Sequence, residues 1–176
     1  MRSLVLGGSV FVGRHLVEAL LAAGHEVAVL NRGQTAAAPF SGSVEHLVAD
    51  RTDPDQMRAA LAGRDWDAVF DVSGFVMAAG GSDIESLISL LDGHVGRYVF
   101  VSSIMAYDQG LAGVFPWTED LGTNGEGTAT YGGFKAATEA ALMARHAATG
   151  FPATVARPAA IYGPDNNIFD METPMF

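Results

Sequence analysis

The chain has 176 residues and a mass of 18.4 kDa, the size of one domain around a single core. With 49% hydrophobic and 17% charged residues, and a mean hydropathy of +0.22, it has apolar surface to bury and too little charge to remain disordered. A net charge of −10 repels phosphate backbones and anionic lipid, which argues against nucleic acid as the main partner; the absence of cysteine excludes disulfides, thiolate metal sites and a cysteine nucleophile.

The opening MRSLVLGG lacks a signal-type hydrophobic region, and no run approaches the ~18 apolar residues that span a bilayer, so a cytoplasmic protein without membrane attachment is expected. Ser3–Leu6 reads as a strand ending at Gly7-Gly8. Helical spacing follows from Val12 to Ala23, closed by Gly24, and Glu26–Leu30 is a second β-branched run. Val44–Ala49 reads as a third strand. Asp53 and Pro54 open a helix to Ala62, Ala68–Val72 is a fourth strand, and Ser82 caps a helix to Leu91. Arg97–Val101 is a fifth strand. Asp108–Ala129, broken by glycine and proline throughout, reads as a long loop over a site; Thr130–Thr149 is an alanine-rich helix ending at Gly150, and Ala153–Ala156 is a sixth strand. Apolar strands alternating with helices predict an α/β, Rossmann-like, doubly wound parallel sheet with helices on both faces and ligands at the carboxyl ends of its strands.

Three groups of residues carry chemistry. Gly7-Gly8-Ser9-Val10-Phe11-Val12-Gly13 joins the first strand to the first helix, where backbone N–H groups and the helix dipole hold a pyrophosphate; an ordinary tight turn is the alternative reading. Val10 stands where such folds usually have their middle glycine. The end of the second strand carries Asn31-Arg32 in place of the acid that bonds a ribose 2′-hydroxyl. Arg32, with Arg14 nearby, therefore favours NADP over NAD, unless it is only a solvated loop charge. Asp50, followed by Arg51, is a candidate for the adenine amino group or simply the start of a turn.

The second group is Tyr131-Gly132-Gly133-Phe134-Lys135, whose i, i+4 spacing puts a phenol and the chain's single lysine on one face of a helix. A cation ~5 Å from a phenolate stabilises it by roughly 3 kcal/mol at an effective dielectric of 20. Ser102 and Ser103 form the third group, closing the fifth strand where a substrate oxygen would lie or where hydroxyls bond local backbone. The five histidines show no metal-ligand spacing, and no metal site is expected.

With GGSVFVG, VSSIMAY, YGGFK and RPAAIYGP in this order from Gly7 to Pro164, the chain resembles the extended short-chain dehydrogenase/reductase superfamily, and within it the NAD-dependent epimerase/dehydratase group. The resemblance implies an epimerase, dehydratase or reductase transferring hydride to or from a nicotinamide, with a nucleotide-sugar-like small molecule as substrate. Tyr131 would be the acid/base, Lys135 would hold the nicotinamide ribose, and Ser103 would orient the substrate. Gly7, Gly8, Ser9, Phe11, Val12, Gly13, Asn31, Arg32, Asp50, Arg51, Ser73, Gly74, Lys135 and Pro158 would line the cofactor. Residues 1–164 would be the dinucleotide-binding domain and 165–176 the start of a substrate lobe that family members continue. Relatives pair through the helices corresponding to Ser82–Leu91 and Thr130–Thr149, which implies a homodimer. A non-catalytic dinucleotide-binding regulator, or an RNA-associated protein like some plastid members, is the alternative.

Overall fold

The structure, a computed structural model, describes residues 1–34, 39–73, 82–108, 110, 116–164 and 166. Its strands are β1 (Arg2–Leu6), β2 (Glu26–Asn31), β3 (Val44–Val48), β4 (Ala68–Asp71), β5 (Tyr98–Val101) and β6 (Ala153–Ala156). Its helices are α1 (Phe11–Ala22), α2 (Pro54–Leu61), α3 (Ser82–Leu91) and α4 (Tyr131–Thr149). All six strands are parallel in the order β3-β2-β1-β4-β5-β6. The order reverses between β1 and β4, the place where doubly wound sheets open a crevice at their carboxyl ends.

Local chemistry accounts for the element boundaries. Asp53 caps α2 by accepting from the amides of Asp55 and Gln56, with Pro54 at the first helical position, where its missing N–H costs nothing. Thr130 caps α4 by accepting from Gly133 N, and Gly150 ends it in the left-handed conformation, φ +77°. The expected cap at Ser82 lies outside the described side chains.

Two apolar clusters flank the sheet. Leu4, Leu6, Leu30, Val69 and Phe100 pack against α2, α3 and α4 through Met57, Ile88 and Leu142. Val5, Val27 and Val29 pack against Val17 and Leu20 of α1. Helices thus lie on both faces, but cover them unequally: Thr154 and Ala156, on alternate positions of the edge strand β6, are exposed. Among the described residues, no helix is long and apolar enough to cross a membrane.

The described residues in and just before the long loop carry local order. Tyr107 and Thr123 form an antiparallel bridge, Asn124 N donates to the Ala106 carbonyl, and short 3-10 turns occupy Ile104–Ala106 and Gly127–Ala129.

Candidate active site

At the β1/β4 crevice lies a cleft of about 820 Å³. It gathers residues that are far apart in the chain: the Gly7–Gly13 turn, Asn31 and Arg32 after β2, Asp50 and Arg51 after β3, Ser73 after β4, Ser103 after β5, Tyr131 and Lys135 on α4, and Pro158 after β6. Gly8 is buried below the cleft, where an added Cβ would stand 2.9 Å from Val29 Cγ2 and 3.0 Å from Val17 Cγ2; its place is helix–strand packing. Gly74 lies outside the described residues.

The turn from β1 into α1 is built for close approach. Gly7 has φ +90°, and a Cβ on Gly13 would sit 2.1 Å from the Gly7 carbonyl oxygen. Val10 is extended (φ −136°, ψ 154°), and the left-handed step falls on Phe11, φ +37°, the one described non-glycine residue with positive φ. Such a residue stores on the order of 1–3 kcal/mol of backbone strain. Open amides of a helix start, with no side-chain cap on α1, form a donor set that fits a pyrophosphate.

Beside the end of β2, the Asn31 side chain is committed: Nδ2 donates to Ser9 Oγ (2.8 Å) and Oδ1 accepts from Gly33 N (2.8 Å), tying β2 to the glycine turn. Arg32 is exposed and lines the cleft. Arg14 is turned elsewhere, donating to the Pro39 carbonyl (2.9 Å), facing Glu18 (3.6 Å) and covering the Phe40 ring. Asp50 lines the cleft and forms the turn that was one of its two readings, accepting from Thr52 N (2.9 Å) and Oγ1 (2.7 Å), and these bonds hold its carboxyl below the usual range. Arg51 lines the cleft and is anchored from beneath. Its guanidinium forks onto buried Asp71 (2.8 and 3.0 Å) and also donates to Ser73 Oγ (2.9 Å), so much of its donor capacity is spent inside the protein. Tyr98 Oη donates to the same carboxylate at 2.7 Å. Burial pushes the Asp71 carboxyl up, but the Arg51 charge and these hydrogen bonds outweigh it and hold it below the ordinary value.

At the opposite end, the two serines separate. Ser102 is buried and donates to Glu139, whereas Ser103 is half-buried and its Oγ accepts from Met105 N (3.1 Å). That bond uses a lone pair and leaves the Ser103 O–H able to donate. Tyr131 begins α4. Lys135 Nζ stands 5.7 Å from the Tyr131 ring centroid and 4.7 Å from that of Phe100, and donates to the Val101 carbonyl (2.7 Å). Desolvation is the main cause that pushes the Lys135 ammonium down to about 8; Arg51 adds to it, while Asp71 and Glu139 oppose it. α4 approaches the Ser103 turn closely because Gly132 lacks a side chain: a Cβ there would meet the Met105 carbonyl oxygen at 2.2 Å.

Sequence reasoning missed Asp71 as the anchor of Arg51, and Glu139 with Arg157 behind the serines. Only the i, i+4 spacing of Lys135 and Glu139 was a usable signal. Among the described residues, no group of acids and histidines could hold a metal.

Comparison with known proteins agrees with this architecture. A curated relative, 2'-dehydrokanamycin reductase of Streptomyces kanamyceticus, is 34% identical over 162 residues, covering 92% of this chain and 43% of the relative. The chloroplast stem-loop binding protein of 41 kDa b of Arabidopsis thaliana is 27% identical over 175 residues, covering 93% and 43%. A solved UDP-glucose 4-epimerase from Thermus thermophilus, in complex with NAD, superposes with a TM-score of 0.71 at 26% identity, covering 89% of this chain and 54% of that one. The chain therefore spans less than half the length of these curated relatives. The family model described as NAD dependent epimerase/dehydratase matches residues 3–173, and the chain belongs to that family.

Proposed function

We propose that this chain binds a nicotinamide dinucleotide in the β1/β4 cleft and takes part in an epimerase, dehydratase or reductase reaction on a nucleotide-sugar-like substrate. The observation that carries the reading is the convergence of Ser103, Tyr131 and Lys135 on the same cleft as the Gly7–Gly13 turn. The residues fit the cofactor: the glycine turn offers amides to the diphosphate, and the lysine ammonium reaches the opposite end. When bound, the cofactor supplies the hydride acceptor or donor. On this reading Tyr131 takes the proton from a substrate hydroxyl as the carbon loses hydride, or returns it in the reverse direction. Ser103 donates to the same substrate oxygen. Lys135, whose Nζ stands 5.7 Å from the Tyr131 ring centroid, places a cation beside the phenol as it gives up or takes back the proton.

NADP is favoured over NAD. Exposed Arg32 lines the cleft with no acid at the end of β2 to repel a 2′-phosphate. The test joins binding to turnover. NADPH should bind more tightly than NADH, and Tyr131→Phe should keep dinucleotide affinity within about twofold while lowering turnover of UDP-glucose or a related nucleotide sugar by roughly 10²–10⁴-fold. Undiminished turnover in Tyr131→Phe would remove the phenol from the reaction.

The name of the Arabidopsis relative favours a second reading, that of a dinucleotide-binding protein associated with RNA.

A further inference from the structure

Behind the cleft, one buried carboxylate ties its own helix to two other segments, each of the three carrying a residue of the proposed site. Glu139 is 5% exposed and lies on α4 one turn after Lys135 and two turns after Tyr131. It accepts from the hydroxyl of Ser102, the neighbour of Ser103 at the end of β5. It also accepts from Arg157, the neighbour of Pro158 after β6, through Nε (3.0 and 3.1 Å) and Nη2 (2.5 Å). Backbone bonds run parallel to these contacts: Ser102 N donates to Ala156 O (2.7 Å) and Ile104 N to Pro158 O (3.0 Å).

We infer that Glu139 is a positioning residue, setting through Ser102 and Arg157 the mutual placement of α4, the Ser103 turn and the Pro158 segment at the nicotinamide end of the cleft. The inference rests on the dinucleotide reading above. Geometry gives it a direction, because none of the Glu139 contacts reaches Asn31, Arg32, Asp50 or the glycine turn, which form the adenosine end. A merely structural role would weaken the two ends alike, whereas a positioning role separates them. The planar Arg157 fork, its Cζ 4.3 Å from the Tyr107 ring centroid, is held on two sides and transmits the position of α4 to the chain after β6.

The experiment compares NADH with ADP, which lacks the nicotinamide and its ribose, by calorimetric titration of the whole chain. Wild type should bind NADH more tightly than ADP. Glu139→Ala should weaken NADH about tenfold, equivalent to ~1.4 kcal/mol, and leave ADP within about twofold. Glu139→Gln, which keeps an acceptor for Ser102, should recover part of the loss. Arg157→Met cuts the contact from outside α4 and should show the same selective loss, so it decides the matter if Glu139→Ala does not fold. Equal weakening of both ligands, or an unchanged NADH-to-ADP ratio, overturns the positioning role while the dinucleotide reading survives. If wild type binds neither ligand, the dinucleotide reading fails and the inference falls with it.

Discussion

A buried lysine whose ammonium titrates near 8 makes the site pH-sensitive where a surface lysine would not. Because the folded value lies below 10.5, the fold binds fewer protons than the unfolded chain between about 8 and 10.5, and this group's contribution to stability rises with pH across that window. Ligand binding runs the other way. A reduced dinucleotide is anionic and favours charged Lys135, so NADPH affinity should fall several-fold between pH 7 and 9, and Lys135→Met should flatten the dependence. Titrations at the two pH values check this; an equal slope in Lys135→Met would place the titrating group elsewhere. The pair itself was legible, since one lysine four residues after a tyrosine specifies a shared helix face. Asp71 was not: its partners Arg51 and Tyr98 stand 20 and 27 residues away, and only the sheet order brings them together. Arg51 lines the cleft, but its fork onto Asp71 was not legible for the same reason.

The decisive element is the first turn of α4, whose fit against the Ser103 turn leaves no room for a methyl group. Gly132→Ala would put a Cβ 2.2 Å from the Met105 carbonyl oxygen and 2.8 Å from Asn124 Nδ2, and neither a 3-10 turn nor a buried amide moves cheaply. The gain in helix propensity, up to ~1 kcal/mol, is smaller than overpacking costs of typically 1–3 kcal/mol. The variant should therefore lose about 1–2 kcal/mol in urea unfolding, and turnover should fall more than NADPH affinity because Tyr131 is displaced from Ser103; a stabilised variant would disprove the close fit. Element existence was readable because apolar runs, with caps at α2 and α4 and glycines after α1, α2 and α4, mark the elements, although no side chain caps the start of α1. α4 starts at Tyr131 instead of Thr130 because the threonine side chain is the cap, and β3 and β4 each stop one residue short of their apolar runs. The loop order was not readable. The Tyr107–Thr123 bridge pairs residues across a glycine-rich stretch that has no strand period.

At the scale of the whole molecule, charge discriminates between the two functional readings. RNA binding draws its affinity from lysines and arginines that neutralise phosphates, and this chain carries 10 basic against 20 acidic residues. Most of the basic groups are already engaged. Lys135 is buried, and Arg2, Arg14, Arg51, Arg58, Arg64, Arg145 and Arg157 each pair with an acid of the chain itself. Arg97 donates to Thr154, and Arg32 lies in the cleft, where on the proposed reading it would face a single dinucleotide phosphate and not a polymer spanning many charges. A stem-loop RNA titrated at about 150 mM salt should consequently show no binding tighter than ~10⁻⁴ M, the weak end of ordinary non-specific association, while NADPH binds the same sample. Lowering the salt should not rescue RNA binding, since a net charge of −10 repels the polymer more strongly as screening falls. Micromolar RNA affinity that strengthens at low salt would reverse the assignment, making the dinucleotide cleft an accessory to an RNA-binding surface.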